Sequence, residues 1–278
     1  GRVKAGHGHA SLRGAFAPAV KIADMECLPS VQRPGLVPMQ RCRRPAVALP
    51  QACRVLPVMA VWMACLFAHA AWAGCSDAPG AGVDWTECEK NRLVLRGADL
   101  TGARMAGAAF DGTDLQGAKL SGIDLTHGSM DRARISGADL SRSKLVQLNA
   151  YRGNFSRADL TGADMTKAEL FRANLSSANL SRTVLRKAEL QRANLEGANL
   201  DGANLTGSDM ARANLSNARL NGTRMAQARM FRTRLEGVDL TRAVGLTTAQ
   251  LEIACGDSRT RLPEGVNAPK TWPCGKDD

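Results

Sequence analysis

Histidine is the first residue type to seek in a candidate catalyst, and this chain holds four. His7, His9 and His69 precede residue 74, so only His127 lies in the rest of the sequence. One histidine cannot complete a Ser-His-Asp or Cys-His set, nor a histidine-based metal site. Asp111 and Asp131 stand twenty residues apart, and a close carboxylate pair can do acid–base chemistry. Arg132 is adjacent to Asp131, however, so ion pairing is expected instead. The many A-x-x-G stretches lack the strand–loop–helix context of a phosphate loop. The sequence therefore predicts no enzyme, no cofactor and no metal.

Cations are better placed for a function. Arg132, Arg152, Arg172, Arg192, Arg212 and Arg232 recur every twenty residues, following Gly112 in the same register. The residue before each is in turn Asp131, Tyr151, Phe171, Gln191, Ala211 and Phe231. Six cations held in one file repel each other and favour an anionic partner, and rings beside arginine add stacking surface. The candidate binding face is thus the six arginines with Tyr151, Phe171 and Phe231. Its expected partner is an unknown protein or an anionic envelope polymer such as a sugar acid; nucleic acid is not expected. The plain alternative is a solvated surface, since an arginine stem can also lie across its neighbours.

What must hold such a file is a chain that returns to the same side every twenty residues. From Leu95 to Leu240 every fifth residue is large and apolar, Ala150 excepted, and a small residue commonly sits two places before it. Asp or Asn often separates the two, as in Ala193-Asn194-Leu195 and Ala198-Asn199-Leu200. A period of five matches neither the helical 3.6 nor the strand 2. With the large residue as position i, both i and i−2 must avoid water while i−1, i+1 and i+2 stay polar. A square coil satisfies this, each five-residue unit forming one side. Turns of four units stack at ~4.8 Å, their backbone groups pairing with the turns above and below. Glycines at i+2, such as Gly97, Gly102 and Gly107, suit the corners. Thirty units would make about seven and a half coils, a rod of roughly 36 Å. Leu148 and Ala150 exchange the small and large sites; volume is conserved, and a slight kink or bulge is expected there.

These residues resemble the pentapeptide-repeat family, which implies a right-handed quadrilateral parallel β-helix, an all-β solenoid. The best-understood members mimic duplex DNA and bind DNA gyrase or topoisomerase, protecting it from quinolones. That mimicry rests on an acidic rod in the cytoplasm. The array at 91–245 has 23 basic and 15 acidic residues, net +8, so this sequence departs from it. The family also implies end-to-end homodimers, which tails carrying disulfides could block; oligomeric state stays open.

The ends point to export. Residues 1–38 lack periodicity and read as disordered or upstream of the true start. Residues 39–73 read as a signal peptide: basic Arg41, Arg43 and Arg44, an apolar run from Val55 to Phe67, then Ala71-Trp72-Ala73 as a cleavage pattern. The leader would touch the membrane only during export; an uncleaved anchor and a lipid-modified Cys75 are the alternatives. Cys75, Cys88, Cys255 and Cys274 flank the array and read as disulfides, with three pairings allowed. Local pairing is favoured because the rod holds the ends apart. An N-terminal cap at 74–90, with Trp85 as lid, and a C-terminal cap at 246–278 would cover the open ends. Thr247 to Gln250 forms a capping box for a helix at about 247–254, and Leu262 and Trp272 are offered to the core. The destination predicted is periplasmic or secreted. This organisation, with both ends disulfide-bearing, resembles the exported pentapeptide-repeat proteins of Gram-negative bacteria.

Overall fold

A single backbone geometry repeats along the chain. In the computed structural model, which describes residues 74–274, every corner from Gly82 to Gly237 places its i+2 residue at positive φ, between 52° and 71°. The carbonyl of position i accepts the N–H three residues on, as from Ala98 to Leu95 at 3.1 Å and from Ala173 to Leu170 at 3.0 Å. That bond with positive φ at the third residue is a type II turn. Successive coils then pair twenty residues apart: Leu95 N–H donates to Asp114 O at 2.7 Å, and Asp114 N–H returns to Leu93 O at 2.8 Å. Parallel bridges run in this register from Asp84↔Arg104 to Arg224↔Val244. Each side contributes one bridged residue, too few for an extended strand, so the sheet character lies between coils rather than along the chain.

The repeating Asp or Asn at i−1 has a local reason. Its side-chain oxygen accepts the N–H two residues on, as from Thr101 to Asp99 at 3.1 Å and from Ser176 to Asn174 at 3.1 Å. Such side-chain turns hold the backbone bent where no ladder bond can.

Positions i and i−2 fill the interior: Leu100, Leu120, Leu160 and Leu200 are fully buried, with Ala163, Ala173 and Ala203 between them. Hydroxyls at inward i−2 sites are satisfied by backbone, Thr183 donating to Leu160 O at 2.8 Å and Thr223 to Leu200 O at 2.7 Å. Leu148 and Ala150 are both fully buried, as the exchange requires. The bulge expected there is absent, because Ser129↔Asn149 and Asn149↔Glu169 keep the twenty-residue register. The next unit helps: a Cβ on Gly153 would lie 2.8 Å from the Phe155 ring, so the missing side chain gives that ring its space.

The two ends differ from expectation in detail. The coil begins before residue 91, since Asp84 and Glu89 already pair with Arg104 and Ala109. Trp85 therefore occupies an i site of this first turn, 6.1 Å from Phe110, and is less a lid than a core residue. Lys90 takes the next i site; its ammonium sits 4.0 Å above the Trp85 ring and donates to Cys75 O. Burial holds its pKa below the usual lysine value, partly offset by Asp77. Cys75–Cys88 and Cys255–Cys274 are bonded, each with Cα atoms 5.4 Å apart. After the array comes helix α1, Thr248–Glu252, with Thr247 as N-cap and the reciprocal Thr247–Gln250 box present. Leu251 is fully buried, and Leu246, Leu262 and Trp272 pack on the core. A Cβ on Gly256 would meet the Trp272 ring at 2.4 Å. No helix among the described residues is long and apolar enough to cross a membrane. The expected leader and signal segment (1–38 and 39–73) and residues 275–278 lie outside the described residues.

Candidate functional site

The twenty-residue ladder brings the arginine file together. From Arg132 to Arg212 the backbone N–H donates to the carbonyl of the i+1 residue one coil on: Arg152 to Phe171 at 3.1 Å, Arg172 to Gln191 at 3.0 Å, Arg192 to Ala211 at 2.9 Å, Arg212 to Phe231 at 2.8 Å; that of Arg232 donates to the Ile253 carbonyl at 2.6 Å. Their Cα positions are thus locked about one ladder spacing, ~4.8 Å, apart. The side chains of Arg132 to Arg212 are exposed and that of Arg232 is half-buried. Arg92 lies in the same file beyond Gly112, where its stem is 3.6 Å from the place a Cβ would take.

The aromatic residues join the file as a second column. Tyr151 and Phe171 stack across neighbouring coils, centroids 5.6 Å apart and planes 4° from parallel. The guanidinium of Arg152 lies 5.0 Å from the Tyr151 centroid, that of Arg172 5.4 Å from Phe171, and that of Arg232 5.5 Å from Phe231. Phe231 is 49% exposed. It borders a cleft with Arg232, Ile253 and the Cys255–Cys274 disulfide, where the file meets the end of the array.

Residue type, not backbone conformation, distinguishes this file from the other three corners. All four adopt positive φ, where an L-residue costs roughly 1–2 kcal/mol and glycine does not. One corner column uses Gly97, Gly117, Gly137, Gly197 and Gly237; another uses Gly102, Gly122, Gly162, Gly202 and Gly222; a third uses Gly107 and Gly207. From Arg132 to Arg232 the arginine column contains none, and its φ values of 52° to 59° are no less left-handed.

Several of the array's other charges are paired, along the sides of the coil rather than at its corners. Acid and base occupy i−1 sites one coil apart: Arg104–Asp84 at 2.6 Å, Arg134–Asp114 at 2.9 Å, Arg229–Asp209 at 2.9 Å, Lys144–Asp124 at 3.5 Å. The signal was present as opposite charges at i−1, twenty residues apart. Asp114 is the deepest, its side chain 2% exposed and held by Arg96 as well. Burial pushes its carboxyl up, but hydrogen bonds from Arg96 and the Gln116 N–H, with both arginine charges, hold it below the usual range. Among the described residues, Arg152, Arg172, Arg192 and Arg212 take part in none of these ion pairs.

Asp111 and Asp131 also differ from expectation. They serve as ladder acceptors: Asp131 N–H donates to Asp111 Oδ1 at 2.9 Å and Tyr151 N–H to Asp131 Oδ1 at 2.8 Å. Burial raises the Asp131 pKa, the Tyr151 N–H lowers it, Asp111 adds to the rise and Arg132 opposes it. The cause is reach: the amide of the next coil is nearer each carboxylate than a guanidinium pointing into solvent.

A family model described as pentapeptide repeats matches eight copies over residues 92–126, 129–166, 168–207 and 208–244. The chain belongs to the pentapeptide-repeat family. Members of this pentapeptide-repeat family fold as right-handed β-helices, in agreement with the resemblance read from the sequence. Solved structures are similar to it at low identity. HetL, from Nostoc sp. strain PCC 7120 and involved in heterocyst differentiation regulation, is 28% identical with a TM-score of 0.32, over 68% of this chain and 85% of its own. A pentapeptide repeat protein of the Arabidopsis thaliana thylakoid lumen is 29% identical with a TM-score of 0.34, over 34% and 66%. QnrB1, a plasmid-mediated fluoroquinolone resistance protein, is 24% identical with a TM-score of 0.48, over 67% and 84%. No curated protein matches the chain.

Proposed function

We propose that this pentapeptide-repeat protein is an exported, non-enzymatic rod of about eight four-sided coils that acts as a binding scaffold in the cell envelope, presenting Arg132–Arg232 to an anionic partner. The observation that carries the reading is the unbroken arginine column at positive φ. This column keeps an arginine at positive φ in six successive coils, whereas each of the other three mixes glycine with other residues, and Asp84, Asp114, Asp124 and Asp209 pair with bases elsewhere. Strain retained at an exposed site is a mark of function rather than of stability. Export is supported by Cys75–Cys88 and Cys255–Cys274, since such bonds persist in oxidising compartments. The 39–73 segment would be the leader, removed before Gly74.

The test is expression from Met39 in a host with a periplasm, followed by intact mass and fractionation. The expected product begins at Gly74, carries two disulfides and sediments with the envelope; an R152S/R172S/R192S variant is cleaved at the same site and oxidised equally, its mass lower only by the three side-chain replacements, but stays in the soluble periplasm. An uncleaved, reduced cytoplasmic product would overturn export and favour the topoisomerase-binding reading. Equal sedimentation of wild type and variant would overturn the binding face.

A further inference from the structure

The column that runs from Arg92 to Arg232 lacks a side chain at one position, Gly112, and the surface is hollow there. Arg92, Asp111, Gly112, Asp131 and Arg132 line an open depression of about 330 Å³. Four of the five are charged, two of each sign. Along the sides of the coil, opposite charges one turn apart close into ion pairs, as Arg134 does with Asp114 at 2.9 Å. Around this hollow none closes among the described residues, and both guanidinium groups are exposed.

The two carboxylates are fixed by the backbone, and each keeps an oxygen to spare. Asp111 Oδ1 accepts from the Ser129 hydroxyl and from Asp131 N–H, and Asp131 Oδ1 accepts from Tyr151 N–H. Among the described residues neither Oδ2 has a donor. The carboxylates lie one coil apart, ~4.8 Å. An ammonium reaches a carboxylate oxygen at about 2.8 Å, so a single one spans both. Burial raises the Asp131 pKa and Asp111 adds to the rise, against the Tyr151 N–H and Arg132; a cation between the two carboxylates relieves that repulsion.

Gly112 lets the arginines converge. It is exposed at φ 66°, and the Arg92 stem already leans over it, 3.6 Å from where a Cβ would lie. The Cα atoms of Arg92 and Arg132 are two coil spacings apart, about 9.6 Å, a gap that two long side chains can close on a carboxylate. A guanidinium grips such a group with two parallel N–H donors. The charge pattern disfavours simpler ligands. A lone anion meets two carboxylates, and a lone cation meets two guanidinium groups. No set of three or more His, Cys, Asp or Glu able to hold a metal ion exists among the described residues. A small ligand bearing both charges satisfies all four groups.

We infer that the Gly112 hollow binds the zwitterionic headgroup of an α-amino acid. Its carboxylate lies over the i+2 column, between Arg92 and Arg132, and its ammonium over the adjoining i+1 column, between Asp111 and Asp131. The site shares only Arg132 with the anionic-partner reading and stands or falls apart from it. Because the hollow is open, the amino acid's own side chain points to solvent and is not selected.

The test is titration of the oxidised, nitrogen-15-labelled protein with glycine at low salt, followed by amide shifts in NMR spectra. The expected result is saturable movement of the Gly112, Asp131 and Arg132 amides. Nε-acetyl-L-lysine, which carries the same headgroup on a long chain, should bind within about threefold of glycine. N-acetylglycine lacks the ammonium and glycine methyl ester the carboxylate; each should bind at least about tenfold more weakly. So should D131N, which keeps an acceptor for the Tyr151 N–H. G112R fills the hollow with the side chain that a similar φ carries in the following coils, 52° at Arg132 and 55° at Arg152. It should fold, as its urea midpoint will show, and lose binding. If acetate or methylammonium binds as tightly as glycine, the zwitterion assignment is overturned. Shifts that fail to saturate, or G112R binding like wild type, overturn the site itself.

Discussion

Replacing file arginines by glycine separates a functional strip from a structural one, because the two accounts predict opposite signs. Arg192 and Arg212 sit at φ 58° and 59°, exposed, beside Gln191 and Ala211. Relief of the left-handed backbone is worth roughly 1–2 kcal/mol. Glycine's greater freedom in the unfolded chain takes back about 0.5–1 kcal/mol. R192G and R212G should therefore each stabilise by about 0.5–1 kcal/mol. Arg152 and Arg172 sit at φ 55° and 58° but lie over their own aromatic rings at 5.0 and 5.4 Å. An exposed cation–π contact is worth about 0.5–1 kcal/mol, so R152G and R172G should come out near zero. Urea unfolding of the oxidised protein, compared at equal m so that midpoint shifts report stability, measures all four. Affinity for the anionic ligand should fall in every one of them. If R192G and R212G destabilise, the arginine stems are holding the corners and the reasoning from backbone strain is wrong.

Other perturbations follow from particular contacts. D131N keeps an oxygen to accept the Tyr151 N–H (2.8 Å) and removes a charge that burial and the neighbouring Asp111 disfavour, the two causes that raise this carboxyl's pKa. Because a raised acid destabilises the fold when ionised, D131N should raise the melting temperature at pH 7 and lose that advantage below about pH 4, where Asp131 is protonated in the folded and the unfolded chain alike. C255S/C274S opens a loop of nineteen residues and should cost about 3 kcal/mol, seen as early hydrogen-exchange deprotection of α1 and the last coil while central coils stay protected. Asp257 anchors the C-terminal cap, accepting from Gly237 N–H at 3.0 Å and from Arg259 at 2.8 Å. Burial raises its pKa, but those bonds and the Thr260 hydroxyl outweigh it and bring it to about 2. A lowered acid stabilises above its unfolded pKa, so the cap's contribution should be intact above about pH 4 and lost on acidification toward pH 2; D257N should abolish that pH dependence.

Much of the fold was legible because the interior enforces one rule at every fifth residue. Leu100, Leu120 and Leu160 could be placed in the core from spacing alone, and Thr247-Thr248-Ala249-Gln250 named its own helix start. The ends were less legible. Trp85 and Lys90 continue the five-residue register, but tryptophan and lysine do not look like the leucine they replace. Only the Lys90–Trp85 contact and the Cys75–Cys88 loop show how such residues occupy inward sites. At the candidate site, the period showed which arginines align. It could not show that all corners share positive φ, so the significance of a column without glycine after residue 112 was hidden. The i−1 ion pairs were less legible for a simpler reason: Asp114 and Arg134 meet on the side of the coil, between the corners where outward charge is most conspicuous in the sequence.

The claim that the arginine file is a binding face is tested most directly by salt titration of the oxidised protein against isolated envelopes. The account predicts affinity falling steeply as salt rises, since exposed charges are screened and counterions released on binding are penalised. It also predicts, for R152S/R172S/R192S, a weaker affinity at low salt and a flatter dependence. The same affinity and the same slope in wild type and variant would contradict it and leave the file a solvated surface.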